Sequence, residues 1–166
     1  MTGPRTFRAF PVVVAIAALG LALGACAHNT ADDLSGAAYA AAGPGSLQEF
    51  ANTVGDRVFF DTDSTELNAA GQATLDKQAV WLDRYPRYTF TVEGHADERG
   101  TREYNFALGA RRAEAVKDYL VAKGVALARM KTISFGKERP VAVCNDISCW
   151  SQNRRAVTVL AGAAGS

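Results

Sequence analysis

The rhythm of apolar and polar positions changes several times along the chain. From Phe10 to Ala25 the sequence FPVVVAIAALGLALGA carries no charge, and it stops at Cys26. Residues 27–45, AHNTADDLSGAAYAAAGPG, have no apolar period and are dominated by Ala and Gly. Regular patterning begins at Ser46. There SLQE has the spacing of a capping box, Ser46 as N-cap and Glu49 at N3, and predicts a short helix ending at Gly55. RVFF, 57–60, reads as a strand and DTDS as its turn. Asn68 is placed to cap a helix over 69–84, with Leu75, Ala79 and Leu82 on one face and Pro86 just past its end. YTFTVEG, 88–94, alternates as a strand does. A charged loop leads into a helix over about 103–123, stopped by Gly124. KTISFG, 131–136, and RRAVTVL, 154–160, predict two more strands, with a loop carrying Cys144 and Cys149 between them.

The order β-α-β-α-β plus a final strand, with helices long enough for crossover connections, predicts an α/β fold. It is a two-layer sandwich with a mixed sheet and helices on one face. No internal repeat is present.

The N-terminal pattern sets the compartment. Arg5 and Arg8 precede the apolar run, and Gly24 and Ala25 precede Cys26 with no basic stop-transfer residues after it. This is the pattern of a secretory signal. LGAC, Leu23–Cys26, further resembles a bacterial lipobox, in which the cysteine thiol is acylated and becomes the mature N-terminus. Three segments are therefore expected: 1–25 as a lipoprotein signal peptide, 26–45 as a lipidated terminus and tether, and 46–166 as the folded domain. As a flexible coil, the 19 residues after Cys26 span roughly 25 Å.

Loss of 1–25 removes Arg5 and Arg8 and leaves 16 basic against 17 acidic residues. With no basic patch and few aromatics, nucleic acid is not expected as a partner. Cys26 is assigned to lipid, so Cys144 and Cys149 remain as a pair in an exported chain, which favours a disulfide. Four residues separate them, too many for a redox motif. His28 and His95 are the only histidines, too few for a zinc site. No nucleophile stands in a recognisable catalytic setting, so an enzyme is not expected.

The second long helix holds the chemistry. Asn105, Leu108, Arg112, Val116 and Leu120 fall at spacings of 3 and 4 and share one face. Arg112 thus stands among core-facing residues, while Arg111 belongs to the solvated face. A buried guanidinium needs an anion. Asp97, in the HADER loop between Gly94 and Gly100 that runs into the first turn of this helix, is the nearest candidate. Two arrangements satisfy both charges. Either Asp97 and Arg112 form a salt bridge, or they stand apart and share a ligand bearing both an ammonium and a carboxylate.

VFFDTDS, VEGHADERGTREYNFALGARRAEAVKDYL, SFGKERP and WSQNRRAV, taken in that order, closely resemble the OmpA-like C-terminal domain family over roughly residues 46–160. The lipid-anchored, peptidoglycan-binding members are the nearest in pattern. The resemblance implies non-covalent binding of the peptidoglycan stem peptide through the zwitterionic end of meso-diaminopimelate, with no cofactor. It implies Asp97 and Arg112 as the principal binding residues and Thr62 and Asp63 at the pocket rim. Ala96 lies beside Asp97, Asn105 and Leu108 support the site, and Asn153 and Arg154 take structural roles. It further implies attachment to the outer membrane through Cys26 and partnership with TolB and the other Tol proteins in the Tol–Pal system, in support of envelope integrity and cell division. A lipoprotein of the same fold outside that system is the alternative. The cysteine pair is a departure, because many relatives have none in that loop.

Overall fold

The structure is a computed structural model and describes residues 43–161. The expectations for residues 1–42, Cys26 included, fall outside the described residues.

The chain enters at Gly43–Gly45. These glycines, read from sequence as the end of the tether, are already part of the domain: Gly45 is buried, and its carbonyl accepts hydrogen bonds from Tyr88 Oη at 2.6 Å and Arg87 Nη2 at 2.8 Å. Ser46 Oγ accepts from the Glu49 amide at 3.0 Å, which starts the short helix α1, Leu47–Glu49. The return arm of the capping box is shifted by one residue. The Glu49 carboxylate takes the Gly45 amide at 2.6 Å rather than that of Ser46, and also accepts from Trp81 Nε1 at 2.7 Å. A π-helical turn, Phe50–Gly55, follows.

The remaining elements are β1 (Arg57–Phe59), α2 (Ala69–Arg84), β2 (Phe90–His95), α3 (Arg102–Ala122), β3 (Met130–Gly136), α4 (Ile147–Asn153) and β4 (Arg155–Leu160), with a 3₁₀ turn at Leu127–Arg129. The sheet order is β1-β4-β2-β3. β2 and β3 are parallel, joined by α3, and β4 runs antiparallel between β1 and β2. The expected mixed sheet with helices on one face is what forms, and strand and helix limits differ from the sequence reading by one or two residues. Asn68 caps α2 through the Gly71 amide at 2.8 Å, and Thr101 caps α3 through Tyr104 at 3.1 Å.

The core lies between sheet and helices. Val58, Phe90 and Val92 from the strands meet Leu75, Ala79 and Leu82 of α2 and Val116 and Leu120 of α3. The five helix residues are ones whose spacing marked them as inward-facing. Where α3 crosses β2 the two backbones touch: a Cβ on Gly94 would lie 1.8 Å from the Gly109 carbonyl oxygen. Only a glycine on the strand allows the helix so close.

One element was not foreseen. The loop expected between β3 and β4 contains α4, with Asp146 as N-cap accepting from the Ser148 amide at 2.8 Å. Two turns of Ser, Cys and Trp give a weak helical signal. Their cross-link to the preceding loop is the expected Cys144–Cys149 disulfide, Cα–Cα 5.6 Å.

Candidate functional site

A cleft of about 290 Å³ opens where three segments meet: the turn after β1, the loop after β2, and the first half of α3. Of the residues singled out in the sequence, Thr62, Asp63, Asp97, Asn105, Leu108 and Arg112 all line it. Ala96 does not. It is buried, its amide is bonded to Gly136 O at 2.8 Å, and it faces a neighbouring depression beside Glu98 and Lys137.

The turn is tight. Ser64 donates its amide to Asp61 O at 3.2 Å, and Asp63 takes a left-handed conformation at φ 56°. The Asp63 carboxylate accepts from Tyr104 Oη on α3. The loop turns at Gly100, φ 85°, where a side chain would be strained. Asn105 Nδ2 then donates to Arg99 O at 2.6 Å, tying the loop to the helix that follows it.

Arg112 does not pair with Asp97. Its side chain is fully buried beneath the cleft, and it donates to three main-chain carbonyls: Nε to Ser64 O at 2.9 Å, Nη1 to His95 O at 2.8 Å and Nη2 to Asp61 O at 3.1 Å. One guanidinium therefore fastens the turn and the end of β2 to α3. Burial, then the nearby Arg154, pull its pKa down to about 10, against the opposing pull of Asp97 and Asp63. It stays charged at neutral pH. Three of its five N–H groups are committed, and the other two have no acceptor among the described residues.

Asp97 is held by two other arginines. Arg99 approaches both carboxylate oxygens, Nε to Oδ1 at 3.1 Å and Nη2 to Oδ2 at 2.7 Å, and its amide adds a bond to Oδ1 at 3.2 Å. Arg154 Nη1 reaches Oδ2 at 3.3 Å, with its Nε on Phe60 O at 3.0 Å. Burial pushes the Asp97 carboxyl up, but Arg99 and then Arg154 outweigh it and hold the group below the ordinary carboxylate range. The salt-bridge arrangement considered from sequence is thus not formed. The acid and Arg112 line one cleft, each with its own partners.

Arg99, Gly100 and Tyr104 also line the cleft and were not picked out as site residues. The signal for Arg99 was present: an acid two residues before an arginine in a tight loop can take both its amide and its guanidinium.

Next to the site, His95 is 2% exposed, and neither ring nitrogen has a hydrogen-bond partner among the described residues. Glu93 Oε2 lies 3.7 Å from Nε2, too far to be one. Burial, then the Arg155 and Arg139 charges, lower its pKa from 6.5 to about 4. Between those values the unfolded chain binds the proton and the folded one does not, so the stabilisation is whole above pH 6.5 and is lost as pH falls toward 4. The shift corresponds to about 3 kcal/mol. Urea denaturation at pH 7 and pH 4 should show wild type losing that much more stability than His95→Gln. Equal losses would count against it.

The chain belongs to the OmpA family, whose model matches residues 59–154. Within it, the similarity is to peptidoglycan-associated lipoproteins: that of Agrobacterium fabrum is 63% identical over 158 residues, covering 92% of this chain and 89% of the relative. The one from Rhizobium meliloti is 62% identical, covering 96% and 92%. Among solved structures, the peptidoglycan-associated lipoprotein of Burkholderia pseudomallei superposes with a TM-score of 0.64 at 43% identity, over 67% of this chain and 96% of that one.

Proposed function

We propose that this chain is an outer-membrane lipoprotein that holds the cell wall non-covalently, by binding the zwitterionic end of meso-diaminopimelate in the cleft between Asp97 and Arg112. The observation that carries the reading is one small cleft lined at once by a carboxylate kept ionised and a buried arginine with two unused donors. An ammonium and a carboxylate on one carbon match that pair. Asp97 takes the ammonium, and Arg112, from the cleft floor, takes the carboxylate. Thr62 and Asp63 close the rim, and Asn105 and Leu108 form the helical wall. Similarity to peptidoglycan-associated lipoproteins, at 62–63% identity over nearly the whole of both chains, supports the peptidoglycan reading.

The test is a pull-down on purified sacculi. Asp97→Asn should weaken binding at least about tenfold, near 1.4 kcal/mol, because it removes the charge that faces the ammonium. Arg111→Ala, on the exposed face one residue from Arg112, should change little. Sacculi with lysine in place of diaminopimelate keep the ammonium but lack the carboxylate, and should be retained poorly. Normal retention of Asp97→Asn would place the binding surface elsewhere.

The anchor belongs to the same reading. Signal cleavage before Cys26 and acylation of its thiol would tether the domain to the outer membrane. More than one acyl chain is needed for firm attachment. Intact-mass measurement should find an acylated N-terminal Cys26, and a free N-terminus elsewhere would refute it. Association with TolB and the other Tol proteins completes the proposal. Co-purification of TolB would separate this reading from a lipoprotein of the same fold that works outside the Tol–Pal system.

A further inference from the structure

Resting on that reading, we infer that Arg99 is a displaceable counter-ion: it occupies the cation seat on Asp97 and must vacate it for the ligand's ammonium. Both carboxylate oxygens of Asp97 are already taken by arginine donors. An incoming ammonium therefore has to replace one of them. Arg154 cannot leave readily. Its side chain is 7% exposed, and its Nε is fixed to the Phe60 carbonyl. Arg99 can. Its side chain is 39% exposed, and away from Asp97 its guanidinium makes one hydrogen bond among the described residues, a long one of 3.5 Å to Thr62 Oγ1.

A landing place is built beside it. The Arg99 guanidinium carbon lies 4.2 Å from the centroid of the Trp150 ring. That indole is fixed by a hydrogen bond from its Nε1 to the Glu98 carboxylate, on α4 just after the disulfide. Arg99 released from Asp97 keeps its cation–π partner and has Glu98 as the adjacent anion. The exchange swaps one cation on Asp97 for another, so ligand binding is a competition and not the filling of a bare carboxylate.

The experiment is calorimetric titration of the mature lipoprotein in detergent with the tripeptide L-alanyl-γ-D-glutamyl-meso-diaminopimelate. Arg99→Gln removes the competitor, and its affinity should rise on the order of fivefold over wild type. Arg99→Lys, with a single-point grip on Asp97, should fall between and serves if the glutamine variant folds poorly. A tripeptide acetylated on the side-chain amine of diaminopimelate should show no gain. Wild type should also change its indole emission on binding, as Arg99 shifts over Trp150, and Arg99→Gln and Trp150→Phe should not. Equal or weaker binding by both Arg99 variants, with wild type binding normally, overturns this inference and leaves the function standing. No binding by wild type overturns the function and this inference with it.

Discussion

Arg112→Ala is expected to destabilise the domain by about 4 kcal/mol, well before any question of ligand arises. The reason is the hydrogen-bond inventory. Removing the guanidinium strips partners from the carbonyls of Asp61, Ser64 and His95, and a buried unpaired polar group costs about 1–3 kcal/mol. The bonds to Asp61 and Ser64 are only partly buried, so water recovers part of the loss. A chain with about 5–15 kcal/mol in hand would remain folded but weakened. Arg112→Lys keeps the charge and a shorter donor and should lose about half as much. Asp97→Asn should cost only about 1 kcal/mol, because the amide oxygen still accepts from an arginine. Urea denaturation followed by circular dichroism ranks the three. A stable Arg112→Ala would mean that the turn and the end of β2 hold their places without it.

The same residue shows how far the sequence can be read. That Arg112 is buried follows from helical spacing alone, as does the inward face of Leu108, Val116 and Leu120. What it touches does not. Its carbonyl partners lie 17, 48 and 51 residues away, brought together by the chain's passage through β1 and β2. Asp97 is similar. Its place in a loop before a helix is visible, but its grip by Arg154, 57 residues on, depends on β4 inserting between β1 and β2. Local periodicity locates elements and faces, while strand order decides which charges meet. α4 was missed for the opposite reason: at seven residues it is too short for periodicity to register, and only the Asp146 cap announces it.

Gly94→Ala should be the most damaging small substitution in the sheet, costing about 3 kcal/mol or more. The new Cβ would stand 1.8 Å from Gly109 O and 2.6 Å from Gly109 C. Both are backbone atoms in the middle of α3, so no side chain can rotate away, and the helix itself must lift from β2. Lifting it also draws Arg112 off His95 O and shifts Asn105 and Leu108 along the cleft wall, so binding to sacculi should fall together with stability. Gly109→Ala meets a softer obstacle, with Ser134 Oγ at 2.5 Å and Gly94 O at 2.9 Å. The serine can turn, at the loss of its 2.7 Å bond to Phe106 O, so the cost should be smaller. Gly124→Ala meets no atom within 4 Å among the described residues and has only a left-handed backbone to strain, at φ 94°, for about 1 kcal/mol. Urea midpoints should therefore fall in the order Gly124, Gly109, Gly94. A Gly94→Ala protein within 1 kcal/mol of wild type would show that α3 can ride higher on the sheet, and that the site does not depend on the contact of these two backbones.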